Sequence, residues 1–100
     1  MNKEFVPYEI AKKLKELGFD IQPISYYTDR ILYQQAFRWF REKHDLIYII
    51  DTPHSDGKWE YIIFGSRKYK YLNREENLNS YDEAELKCIG HMIELVKNRE

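Results

Sequence analysis

The apolar residues of this chain change their spacing once, near residue 45, and that single change governs what the chain can fold into. From Arg30 to Lys43 they recur with helical spacing. Leu32, Tyr33, Ala36, Phe37, Trp39 and Phe40 cover one continuous arc, and Arg30, Gln34, Arg38 and Arg41 gather on the opposite side. Thr28 or Asp29 is the expected cap of this helix. From Leu46 onward the pattern becomes β-branched and aromatic. Leu46 to Asp51 and Trp59 to Phe64 read as two strands of an antiparallel hairpin, with Asp56-Gly57 in the connection. On the second strand Trp59, Tyr61 and Ile63 share one face, and Glu60, Ile62 and Phe64 share the other. Gly65-Ser66 marks another turn, Lys68 to Leu72 is a candidate third strand, and Asn73 to Asn79 reads as loop.

Two further helices flank this region. The first is expected from Pro7 to Leu17, with Pro7 at the first helical position, where its missing N–H costs nothing. Ile10, Ala11, Leu14 and Leu17 make its apolar face. Gly18 supplies a left-handed stop, after which Phe19 can fold back onto Leu14. Pro23 stands in a linker, followed by a candidate short strand from Ile24 to Tyr27. The last helix opens on a capping box, Ser80 with Glu83 three residues on. Asp82, Glu83 and Glu85 sit at its positive end, and Lys97 and Arg99 at its negative end. Its apolar residues span more than half the circumference, so it must touch more than one neighbour: the sheet and another helix, or a second copy of the chain.

The expected fold is therefore α+β, an antiparallel two- to three-stranded meander packed against helices in the order α-α-β-β-(β)-α. One hundred residues hold a single domain, residues 1–100, with one core. Sixteen per cent of the residues are aromatic, nine of them Tyr, which exceeds what one small core encloses, so some rings are expected at the surface. A sheet face left uncovered by helices would carry rings from the Tyr-rich strands and form a natural dimer surface.

Composition excludes more functions than it suggests. A net charge of −1 gives no global field toward nucleic acid or an anionic membrane. The longest apolar run, Leu46 to Ile50, is far short of a membrane span, and the first seven residues lack the apolar stretch of a secretory leader. The lone Cys88 fits a reducing compartment. A cytoplasmic location without membrane contact is the expectation. Asp51, His54 and Asp56 are metal-ligating types in one loop, but Pro-His-Ser-Asp and Asp-Gly also serve turn geometry, and no fourth ligand is evident. Cys88 and His91 stand one helical turn apart without a second pair, with Cys88 inside the apolar stripe. His44 closes the second helix, where a partial positive charge suits the dipole. There is no phosphate-cradling glycine loop and no nucleophile elbow. No catalytic residue, metal site or cofactor is expected.

The polar feature that stands out is basic. Arg67, Lys68, Lys70 and Arg74 are interleaved with Tyr69 and Tyr71, as in sites that grip phosphates with charge and stack bases on rings. Arg30, Arg38 and Arg41 on the second helix extend the candidate nucleic-acid or partner contacts. The order helix–strand–strand–strand–helix from Arg30 onward also matches that of double-stranded-RNA-binding domains, by analogy alone. Against it, Asp82, Glu83 and Glu85 would repel phosphate at the last helix, and the acids of residues 75–85 can pair the basic stretch internally. Arg38 likewise has Glu42 at i+4.

Val6-Pro7-Tyr8-Glu9-Ile10-Ala11, Lys15-Glu16-Leu17-Gly18-Phe19-Asp20, the run from Tyr33-Gln34-Gln35-Ala36 to Lys43, and Tyr81-Asp82-Glu83-Ala84-Glu85-Leu86 form a pattern. It resembles a group of small proteins, without assigned activity, encoded in phage and prophage regions of Bacteroidales bacteria. Members often carry Ala-Pro before the second helix, where this chain has Arg30-Ile31, and the β region differs. The resemblance implies a mobile-element origin and an accessory role. With surplus aromatics and a wide apolar stripe, the leading expectation is a protein-interaction module whose partner is a host or phage protein or a second copy. Nucleic-acid binding is the alternative, and an enzyme comes last.

Overall fold

The computed structural model describes residues 4–20, 30–52, 55–65 and 70–99. The elements run α1 (Tyr8–Glu16), α2 (Tyr33–His44), β1 (Leu46–Asp51), β2 (Trp59–Gly65), β3 (Lys70–Leu78) and α3 (Tyr81–Lys97). The sheet is antiparallel in the order β1-β2-β3. Among the described residues the fold is α+β, with three strands and the order α-α-β-β-β-α.

Helix α1 begins one residue later than expected, because Pro7 caps it in an extended conformation and its carbonyl takes the Ala11 amide at 2.9 Å. Its end follows the expected logic. Gly18 adopts φ +100°, a left-handed turn that favours glycine. The Phe19 N–H then reaches the Leu14 carbonyl and the Gly18 N–H the Lys15 carbonyl, the paired bonds of a Schellman motif. The Phe19 ring lies edge-on to Trp39 at 5.5 Å.

Helix α2 begins at Tyr33 rather than Arg30. Residues 31–32 are drawn into an extended bridge instead: Val6 donates to the Ile31 carbonyl at 2.8 Å and Tyr33 to the Glu4 carbonyl at 3.0 Å. Leu32 caps the helix, its N–H held by Gln35 Oε1 at 2.9 Å. Thr28, Asp29 and the candidate strand Ile24–Tyr27 lie outside the described residues. The far end of α2 passes through left-handed Asp45, φ 57°, and the His44 carbonyl accepts a hydrogen bond from Arg99 Nη1 at 2.9 Å. The arc Tyr33, Ala36, Phe37, Trp39 and Phe40 is buried as its spacing required. Phe37 stacks on Tyr48 of β1 with centroids 3.8 Å apart, which fixes helix to sheet.

The largest departure is β3. Asn73 to Leu78 pairs with β2 as strand where a loop was expected. Two register shifts explain the illegibility. One extra β3 residue is inserted between the Trp59–Leu78 and Tyr61–Glu75 pairs, and another between Ile63–Asn73 and Phe64–Tyr71. Each bulge reverses the in–out alternation, and Asn77 adopts φ 64°, so a period-two pattern cannot persist.

Helix α3 is capped by Ser80, whose Oγ accepts the Glu83 N–H at 3.1 Å. Glu83 answers one residue further back than the expected box, accepting the Asn79 N–H at 2.9 Å. Ala84, Cys88, Ile89, Met92, Ile93 and Val96 are buried. They account for the wide stripe without a second copy, because α3 lies across all three strands and against both other helices. No described helix is long and apolar enough to cross a membrane.

Candidate functional site

Pairing register sorts the strand side chains into two faces. Leu46, Tyr48 and Ile50 of β1 lie beside Tyr61 and Ile63 of β2, turned toward the helices and their core. Ile47 and Ile49 lie beside Phe64 and Ile62, turned the other way. Tyr71 pairs with Phe64, and the two rings meet edge-on at 6.4 Å. Ile47, Ile49, Ile62, Phe64 and Tyr71 thus form an apolar patch on the outer face. None of the five belongs to the helix-packed core, and Ile49 and Tyr71 are 47% and 56% exposed. Tyr48 and Tyr61, which strand composition alone would also offer to an open face, point to the helices.

One end of this face is polar and internally neutralised. Glu60 is almost fully buried, its Oε1 held by Arg74 Nη2 at 2.8 Å and Nε at 3.2 Å. The same guanidinium reaches Glu76 at 2.7 Å. The internal pairing anticipated for the basic stretch therefore holds at Arg74, and Arg38 likewise pairs with Glu42 at 2.9 Å.

Of the nine basic and aromatic candidates, the six that are described do not converge. Arg30 lies over the Phe5 ring at 5.3 Å, near the start of α2. Arg38 and Arg41 are exposed on α2, in the helical layer, while Tyr71 and Arg74 project from the opposite side of the sheet at its β3 edge. Lys70 is exposed where β3 begins; Arg67, Lys68 and Tyr69 lie outside the described residues.

A polar network on the helix side was invisible to sequence spacing because its members are far apart in the chain. Asn73 Oδ1 accepts the Arg74 N–H at 2.7 Å, which directs its Nδ2 group to His91 Nε2 at 2.6 Å. His91 Nε2 must then be the acceptor, so the ring proton sits on Nδ1 and is donated to the Tyr61 hydroxyl at 2.5 Å. Tyr61 in turn donates to Glu75 Oε1 at 3.4 Å, and Lys87 holds Glu75 Oε2 at 3.2 Å. Burial, with Glu75 beside it, pushes the Tyr61 hydroxyl pKa up. Both His91 nitrogens are engaged by protein groups, so this ring has no position left for a metal or a nucleophile. The network fastens β3 to α3.

Cys88 is fully buried, as its place in the stripe suggested, and burial pushes its thiol strongly up. Ellman's reagent is expected to label it no faster than the protein unfolds globally. Prompt labelling of the native protein would show that α3 is not seated as described. No group of three or more His, Cys, Asp or Glu among the described residues is placed to hold a metal, and His54 lies outside them.

No protein-family model, curated protein or solved structure matches this chain.

Proposed function

We propose that this chain is a protein-interaction module that associates with a second copy of itself through the outer face of its sheet. The observation that carries this reading is the patch of Ile47, Ile49, Ile62, Phe64 and Tyr71 on the face opposite the helices. Apolar side chains contiguous on one side of a sheet are the half-core of a sheet-on-sheet contact, with the layers about 10 Å apart. A twofold axis brings the same patch to itself, so apolar meets apolar without further design. Glu60, buried on that face, is paired with Arg74, so its charge does not oppose the approach. An accessory role of the kind implied by the phage-protein resemblance accords with a chain that binds rather than catalyses. Nucleic-acid binding is the weaker reading, since Arg74 and Arg38 are engaged by acids of the chain itself.

Sedimentation equilibrium tests this directly. The protein is expected to run as a concentration-dependent dimer. Ile49→Lys, at a half-exposed position that leaves the core intact, is expected to weaken association by about tenfold or more, roughly 1.4 kcal/mol. A monomer at all accessible concentrations would refute self-association, and a dimer indifferent to Ile49→Lys would place the contact elsewhere.

A further inference from the structure

The two edges of the sheet are built differently. At one edge β3 carries two bulges and the charged residues Lys70, Arg74, Glu75 and Glu76, features that keep an edge from pairing with further strands. At the other edge β1 has neither. It pairs with β2 in unbroken register from Leu46–Gly65 to Asp51–Glu60, and Asp51 is its one charged residue. Among the described residues β2 is the only strand beside it. In an antiparallel ladder alternate residues turn their N–H and C=O groups to the neighbouring strand, and the residues between turn theirs outward. The outward groups within Leu46 to Ile50 are therefore a template for one more strand. The stacking of Tyr48 on Phe37 fixes that template before any partner arrives.

Charge and register decide what suits this edge. β1 is bracketed by acids, Asp45 before it and Asp51 at its end, with no basic residue between them. A second copy paired antiparallel about a twofold axis must set side chains of the same face opposite one another. The register that puts Tyr48 on Tyr48 of the copy sets Asp45 against Asp51 at both ends, a like-charge pair. The neighbouring registers of the same parity oppose Asp51 to Ile47 or Asp45 to Ile49 instead. A strand that is apolar in the middle and basic at its ends meets neither difficulty. Ile47 and Ile49 bring the outer patch up to this edge, with Ile49 47% exposed, so apolar side chains of an added strand would continue it.

We propose that the β1 edge binds an extended segment of a partner protein, apolar and β-branched at its centre and basic at its ends, which joins the sheet as a further strand. The backbone ladder supplies the affinity. Ile47 and Ile49 select apolar side chains, and Asp45 and Asp51 select the basic ends. Stacking of two copies through the outer face leaves this edge uncovered, so the inference goes beyond self-association and stands without it.

The test is a titration of the isotopically labelled full chain with the peptide acetyl-Lys-Thr-Val-Thr-Val-Thr-Lys-amide. Its order is palindromic, so it offers the same side chains whichever way it runs. In one control, acetyl-Lys-Thr-Val-Pro-Pro-Thr-Lys-amide, adjacent prolines remove an N–H from the ladder whichever alternate set faces β1. In the other, acetyl-Glu-Thr-Val-Thr-Val-Thr-Glu-amide, the end charges are reversed. The Lys-ended peptide is expected to give saturable shifts along Leu46 to Asp51 and Hα NOEs between β1 and the peptide. It should also slow the exchange of the alternate β1 amides that face outward. The Glu-ended peptide is expected to bind about tenfold more weakly, and the diproline peptide not measurably. Asp51→Asn is expected to weaken the Lys-ended peptide about threefold. Absence of saturable shifts, or equal affinity for either control, overturns the proposal. Slowed exchange of the outward β1 amides that grows with protein concentration in the absence of peptide assigns the edge to a second copy and overturns it as well.

Discussion

Replacing Phe40 by alanine is expected to cost about 3–5 kcal/mol, the range for truncating a fully buried aromatic ring. Phe40 has no exposed surface. It sits edge-on to Trp39 at 5.1 Å, with the His44 ring 6.0 Å away. It therefore anchors the end of α2 that feeds into β1. Domains of this size are stable by only about 5–15 kcal/mol, so the variant forfeits a large share of that margin. At about 4–8 °C per kcal/mol, the midpoint of thermal unfolding should fall by roughly 12 °C or more. Circular dichroism melts and urea titrations read both quantities. Tyr8→Ala, at a ring 75% exposed on α1, should change stability by less than about 0.5 kcal/mol and serves as the control. A Phe40→Ala loss under about 1 kcal/mol would show that α2 is not docked on the sheet as described.

Tyr61→Phe is the second large effect. It keeps the ring and removes the oxygen that accepts from His91 Nδ1 and donates to Glu75. The His91 N–H is then left without its acceptor at a part-buried site, a loss of about 1–3 kcal/mol. Because the network joins β3 to α3, the damage should be local. Amide hydrogen exchange in residues 72–78 is expected to accelerate while β1 and α2 keep their protection. In the unaltered protein, long-range ¹⁵N spectra should show His91 carrying its proton on Nδ1. A ring protonated on Nε2 alone would contradict the assignment from Asn73, and uniform acceleration of exchange would show that β3 has no separate attachment.

The residues that declared themselves in sequence are those whose environment is set by neighbours along the chain. Leu46 to Asp51 became β1 with those bounds, and the α2 arc is buried, because each pattern repeats over several residues with one face on the core. Gly18 and Ser80 are legible for the same reason, each closing a helix through bonds to residues within five positions. What was illegible depends on distant partners. Arg30 to Leu32 has helical spacing, yet Ile31 and Leu32 are held extended by residues 4–6. Asn73 to Asn77 has loop composition, yet β2 supplies its ladder, and two bulges erase the alternation that would have announced it. Glu60 alternates correctly onto the outer face but is buried there by Arg74, fourteen residues away.

The candidate sites divide along the same line. The idea that an uncovered sheet face would be apolar was legible, but not its members. Tyr48 and Tyr61 turn to the helices, and isoleucines supply most of the patch. The half-open cavity lined by Glu4, Tyr33 and Glu85 was not legible at all, since these residues come from three separate stretches of chain. In the sequence Glu85 reads as a charge that favours the start of α3 and repels phosphate there.

The most direct test of self-association through the outer face is an isotope-filtered NOE experiment on an equimolar mixture of labelled and unlabelled protein, which records only contacts between molecules. Intermolecular NOEs are expected from the Ile49 and Ile62 methyl groups to the Phe64 and Tyr71 rings of the second copy, lost in Ile49→Lys. Intermolecular NOEs confined to Tyr8 or Leu86 on the helical layer, or none at concentrations where light scattering is recorded as dimeric, would contradict it.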